Sequence, residues 1–214
     1  VSEIQNFYLY HKLIPNFELK HEGLPQHTHV NDIKINFDKF KNTKTVFFHR
    51  DPRPTVISFY HQYRYRDAWR HSVNKNFKVS IDDFVKRDVG GIKSIIEYYN
   101  QWAVFLDTNN DVLTLSYEGL KECPFDECKR FLNFSKINID SKILLKAIDF
   151  CKANNLRDLE LKGQLNEKRF GGGVKSGKVR NTGKKKWDNE VNNETKDYIE
   201  NEVKKNLSTF YSYH

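Results

Sequence analysis

The stretch KTVFFHRDPRPTVISFYHQYRYR, residues 44–66, limits what this chain can become more than any other. An apolar run from Thr45 to His49 reads as a buried strand, and Arg50 to Pro54 as a charged turn with two prolines. An amphipathic helix is expected from about Thr55, because Val56, Phe59, Tyr60 and Tyr63 recur at i, i+3, i+4 and i+7 and share one face. Pro52 and Pro54 suit a first helical turn, where a missing N–H costs nothing. Strand, short turn and helix N-terminus together predict an anion site, since free N–H groups and the helix dipole face the turn. Arg50 leaves the strand end and Ser58 follows about one turn inside the helix, so both are placed to grip one phosphate. On the residues alone a second arrangement stays open: Arg50 pairs with Asp51, and Ser58 bonds back within its helix.

The chain of 214 residues, 38% hydrophobic and 14% aromatic, has enough apolar material for one substantial core and is read as one domain, 1–214. No run approaches the eighteen apolar residues of a membrane span, and no charged segment followed by an apolar one opens the chain. It begins with Val1 and contains no methionine. Cys123, Cys128 and Cys151 cannot all pair with one another and show no metal-ligand spacing. They imply a reducing, cytoplasmic setting and no structural metal. Cys123 and Cys128 flank an expected helix start, where packing is their expected role. The net charge of +8 is uneven: Lys168, Arg169, Lys175, Lys178, Arg180, Lys184, Lys185 and Lys186 fall in a block without acidic residues, where something anionic is expected to sit.

In chain order, an aromatic helical piece near Ile4, Phe7 and Tyr8 precedes a loop with His21, His27 and His29. After that helix come Arg64, Arg66 and Arg70, with Trp69 and His71, which suit either the rim of an acceptor pocket or a solvated turn. Ser80 is expected to cap a helix with Asp83 at its third position, and Gly90-Gly91 to break it. Ile92, Ile95, Ile96, Tyr99, Trp102, Ala103 and Leu106 hold a 3.6-residue period over four turns, the strongest helical signal here. A strand is expected at 111–117 after the Asn109-Asn110 turn. Next comes a helix starting near Pro124, with Phe125, Cys128, Phe131 and Leu132 inward. A further helix, capped by Asp140 or Ser141, carries Leu144, Leu145 and Ile148. Asn193 is expected to cap a C-terminal helix through Ile199, Val203 and Leu207, after which the aromatic tail FYSYH packs down. Strands alternating with amphipathic helices give an α/β layered domain with a mostly parallel sheet.

Three motifs in this order carry a resemblance. R-D-P-R-x-x-x-x-S, from Arg50 to Ser58, resembles the 3′-phosphate motif of the sulfotransferases that use PAPS (3′-phosphoadenylyl sulfate). SYEGLKECPF resembles the family's Y-E-D-L-x-x-x-P stretch, with Gly119 in place of Asp. KVRNTGKKKW resembles its R-x-G-x-x-G-x-W lid; Arg180 and Trp187 keep their separation while Thr182 and Lys185 stand at glycine positions. GIKSIIEYYNQWAVF also looks like a segment of bacterial sulfotransferase-domain proteins.

The resemblance implies a fold related to P-loop kinases and transfer of a sulfuryl group from PAPS to a hydroxyl or amine, on a glycan or small-molecule acceptor. By the same resemblance Arg50, Ser58 and Arg180 hold the 3′-phosphate, Tyr117 and Trp187 lie by the nucleotide, and His29 (with His21 as rival) is the base. PAPS, leaving as PAP, is the only co-substrate implied, without metal, specific nucleic acid or membrane. The family's upstream loop for the 5′-phosphosulfate is not found in these residues. An N-terminally incomplete domain is therefore expected, one that by itself binds PAP weakly, if at all, and turns over poorly. The competing expectation is a non-catalytic polyanion binder acting through 168–186; a nucleotide kinase is disfavoured for want of G-x-x-x-x-G-K-[ST].

Overall fold

A computed structural model describes residues 35, 37–40, 44–65, 78–162, 164 and 187–214. Strand β1 (Thr45–His49) pairs in parallel with β2 (Val112–Ser116), in a register that runs from Thr45 opposite Val112 to His49 opposite Ser116. A parallel pair needs a long crossover, and here it is made of helices. These are α1 (Pro52–Tyr65), α2 (Ile81–Val85) and α3 (Ile92–Asp107). Past β2 come α4 (Tyr117–Glu122), α5 (Pro124–Phe134), α6 (Ser141–Phe150) and α7 (Ala153–Leu161). A 3-10 turn, Trp187–Asn189, leads into α8 (Asn193–Asn206), which packs on α1, α2 and α3. Among the described residues the fold is thus α/β, helix-rich with a small parallel sheet.

The seven periodic residues of α3 are all buried. Its Trp102 stacks on Phe47 of β1 at 4.9 Å between ring centroids and meets Phe37 and Phe40 edge-on at 5.2 and 5.1 Å. Alternation on β1 sends Thr45 and Phe47 into this core, while Phe48 stays 41% exposed on the other face. Val56, Ile57, Phe59 and Tyr60 of α1 and Ile199 and Val203 of α8 complete it, and Tyr211 of the tail is buried as expected. The start of β1 is tied to α5 by Lys44, whose ammonium donates to the Phe134 carbonyl at 3.0 Å.

Several local expectations change. The first helix starts at Pro52, three residues before Thr55, because Asp51 already caps it. Its carboxylate accepts from the Arg53 amide at 2.9 Å, and Pro52 takes the first position, where no N–H is wanted. Ser58 therefore lies nearly two turns inside. The second strand stops at Ser116, whose hydroxyl accepts from Gly119 N and so starts α4 at Tyr117. Asn192 rather than Asn193 caps α8, accepting from Thr195 N at 2.8 Å, and Asp140 rather than Ser141 caps α6. Leu145 points outward at 53% exposure and Cys123 is exposed, so neither packs as expected. Ser80 does cap α2, bonding both the amide and the carboxylate of Asp83.

The joint between α2 and α3 depends on two glycines. Gly90 has φ of 81°, a conformation that costs a side-chain-bearing residue strain. At Gly91 a Cβ would stand 2.1 Å from the Arg87 carbonyl oxygen and 2.6 Å from that of Val85, both backbone atoms. Neither can move without unwinding the end of α2. Gly91→Ala is therefore expected to lower the unfolding free energy by about 2–3 kcal/mol, an overpacking cost. Urea denaturation of the two proteins checks this, and an unchanged midpoint would contradict it.

Candidate anion site at the paired strand ends

Because His49 and Ser116 are register partners, the residues that follow them leave the sheet side by side. Arg50 follows β1, and Tyr117 begins the helix after β2. The Arg50 guanidinium lies over the Tyr117 ring, 4.4 Å from its centroid, and Lys121 approaches the same ring at 5.8 Å. Tyr117 is 40% exposed, so this stack faces solvent. Among the described residues the Arg50 guanidinium has no carboxylate partner, and its Nε is buried without a hydrogen bond. A buried unpaired donor carries a desolvation cost that an anion would relieve. The backbone of Arg50 is held separately: the Tyr99 hydroxyl donates to its carbonyl at 2.9 Å, with its amide 3.2 Å away. Burial pushes Tyr99 up to about 12, so it stays a neutral donor.

The alternative of an Arg50–Asp51 pair is not what forms. Asp51 takes Arg53 instead, at 3.3 Å, and Arg53 reaches on to Glu200 of α8 at 3.6 Å. Burial raises the Asp51 carboxyl, partly offset by the Arg53 amide and guanidinium. Nor does Ser58 bond back; among the described residues its hydroxyl makes no hydrogen bond.

One expectation does fail: the helix start offers no free amide. Arg50 N faces Tyr99, Asp51 N donates to Glu118 at 3.3 Å, Arg53 N goes to Asp51, and Thr55 N goes to the Asp51 carbonyl. Pro52 and Pro54 have none to give. Any anion here is therefore bound by side chains and the helix dipole, not by a cradle of backbone N–H groups.

Trp187 packs against the core at the foot of α8. Three residues on, Glu190 bonds His61 of α1 at 2.5 Å, and His61 stands one turn beyond Ser58 on that helix. The residues that follow the basic block, Trp187 to Glu190, are thereby fastened to the helix that carries Ser58. His29, its rival His21, and Arg180 with the rest of 168–186 lie outside the described residues. The structure thus brings Arg50 and Tyr117 together and sets Ser58 and Trp187 on or against the same helix–core unit.

Sequence reading missed a second set of polar residues. The Tyr213 hydroxyl donates to Glu118 at 2.8 Å, leaving its oxygen to accept from His49 Nδ1 at 2.9 Å. Arg53 donates to the Tyr213 carbonyl. No local pattern marks these contacts, which join residues 95 to 164 positions apart.

The paired strand ends thus set a cationic turn before a helix, and comparison with known proteins shows the family. Residues 12–211 match the family model described as the sulfotransferase domain, and the chain belongs to that family. Among its relatives are two proteins of Arabidopsis thaliana. It is 24% identical to cytosolic sulfotransferase 6 over 170 residues, and 24% identical to cytosolic sulfotransferase 5 over 157. These alignments cover 75% and 68% of this chain but only 45% and 46% of the relatives, so the chain spans about half their length. Among the described residues no helix is long and apolar enough to cross a membrane.

His49 supplies a pH test. Burial lowers its pKa below the ordinary 6.5, with Glu118 pulling weakly the other way. A depressed folded value means that the contribution of His49 to stability is complete above 6.5. It is lost as pH falls from there through the folded pKa. His49→Asn, which keeps a donor near Tyr213, is expected to lose less stability than the parent between pH 7 and pH 5 in denaturant titrations. Equal losses would show that another group titrates.

Proposed function

We propose that this chain is the 3′-phosphate-binding part of a sulfotransferase that moves a sulfuryl group from PAPS to a hydroxyl or amine of a glycan or small molecule. The observation that carries the reading is the Arg50 guanidinium stacked on Tyr117, with a buried Nε that has no partner. A phosphate oxygen would satisfy that donor, and an aromatic face beside it suits a nucleotide base or ribose. Arg50 supplies a planar, permanently charged fork for phosphate. Ser58 adds a hydroxyl with no competing bond among the described residues, and Arg180 a second cation from the basic segment. Trp187 would anchor that segment at its foot.

The reaction breaks the bond between sulfur and the phosphate oxygen of PAPS and forms one between sulfur and the acceptor oxygen or nitrogen. The acceptor proton passes to a base, which we assign to His29. As in phosphoryl transfer, positioning and charge stabilisation carry most of the catalysis. The protein's own contribution here is to fix the nucleotide by the end remote from the reacting sulfur. That spends binding energy on orientation. A single domain at work in the cytoplasm completes the proposal, in keeping with relatives named as cytosolic.

Calorimetric titration with PAP tests the reading. Arg50→Ala and Ser58→Ala are each expected to weaken PAP binding at least tenfold, about 1.4 kcal/mol or more. If both variants bind PAP like the parent, the assignment fails. A second reading, a polyanion binder acting through the eight basic residues of 168–186, makes the opposite forecast. It requires heparin binding with a steep salt dependence that Arg50→Ala leaves untouched.

A further inference from the structure

The turn that carries Arg50 is held from an unexpected direction. Its neighbour Asp51 donates its amide to Glu118 Oε1, and Glu118 directly follows Tyr117. The other oxygen of the same carboxylate, Oε2, accepts from the Tyr213 hydroxyl, which in turn accepts from His49, the residue before Arg50. Glu118 and Tyr213 therefore form one bridge between the two strand exits, bonded to residues on either side of Arg50 and adjacent to Tyr117. Two further bonds fix Tyr213 itself. Its carbonyl accepts from Arg53, and the neighbouring Tyr211, fully buried, donates its hydroxyl to the Tyr99 carbonyl at 2.8 Å. Tyr99 is the residue whose own hydroxyl holds the Arg50 peptide. Burial first, and then the bond to Glu118, raise the Tyr213 phenol, which keeps it a proton donor in this bridge.

We infer that Tyr213, acting through Glu118, is a positioning residue that fixes the Arg50 guanidinium against the Tyr117 ring and so sets the affinity of the anion site. The inference rests on the reading of Arg50 as a nucleotide contact, but it makes a claim of its own about the unliganded protein. Without the Tyr213 hydroxyl the Glu118 carboxylate keeps the Asp51 amide but loses its second anchor and its link to His49. Among the described residues that leaves the sheet register, the Asp51–Glu118 bond and the Arg50–Tyr117 stack itself to join the two exits. Neither Tyr213 nor Glu118 needs to touch the nucleotide.

The test uses the full chain and Tyr213→Phe, which removes one oxygen and leaves the ring packing. Glu118→Ala is the second variant, so that one poorly folded protein does not decide the matter. Two quantities are read in each: PAP affinity by calorimetry, and the chemical shifts of the Arg50 side chain, which sit in the ring current of Tyr117. The expected result is at least a tenfold loss of PAP affinity, with the Arg50 signals moving toward free-arginine positions and thermal midpoints staying within a few degrees of the parent. PAP binding at parental strength in both variants would overturn the inference. Should the parent itself not bind PAP, the donor-site reading falls, and the Arg50 shifts alone then judge the bridge. Shifts unchanged in Tyr213→Phe and Glu118→Ala would overturn it; shifts that collapse would uphold the positioning role for whatever anion Arg50 receives.

Discussion

The parallel register of β1 and β2 is the constraint from which the candidate site follows. Setting His49 opposite Ser116 obliges Arg50 and Tyr117 to leave the sheet at adjacent points, although 67 residues separate them in the chain. A slip of one position would turn Phe47 out of the core and carry Arg50 away from the ring. The register is in turn fixed by packing, because Phe47 must meet Trp102 while Leu115 is buried next to the exposed Phe48. Hydrophobic alternation on a five-residue strand thus sets where a guanidinium stands.

Charge in the turn is arranged so that one cation is left over. Arg50 and Arg53 sit three residues apart with a single acidic residue, Asp51, between them. Capping geometry assigns that carboxylate to Arg53, whose amide and guanidinium both face it. Arg53 is then committed to structure, with Glu200 and the Tyr213 carbonyl as further partners. Among the described residues the Arg50 guanidinium keeps only the face of Tyr117. An aromatic face lowers the cost of removing a guanidinium from water without neutralising it, so the cation stays available to an incoming anion.

Much of this was legible in the residues because it is local. The seven apolar positions of α3, the strand from Thr45, the Ser80 cap and the R-D-P-R turn each announce themselves within a window of a few residues. The resemblance then singled out Arg50 and Tyr117, which the structure brings together. What local pattern could not carry was competition. Free amides at the start of α1 were a sound expectation until Asp51, Glu118 and Tyr99 claimed them. The two prolines that mark the helix start also remove donors from it. Leu145 fits the periodicity of its helix yet faces outward, since periodicity names a face and not what covers it. The Glu118–Tyr213 bridge lay beyond reach for the same reason: nothing near residue 118 or 213 indicates that they meet.

That long separation has a consequence for how the protein is made. Tyr213 is added 164 residues after His49, the partner it holds. At roughly 5–20 residues per second the turn around Arg50 waits about 8–33 s on the ribosome before its brace exists. During that interval a nascent chain has its strand, its proline-marked helix and its unpaired arginine, but not the fastening that gives the arginine a direction. The ties to Glu118 and His49 are then made only once Tyr213 has been added, directly after Ile199, Val203 and Tyr211 have supplied the last pieces of the described core.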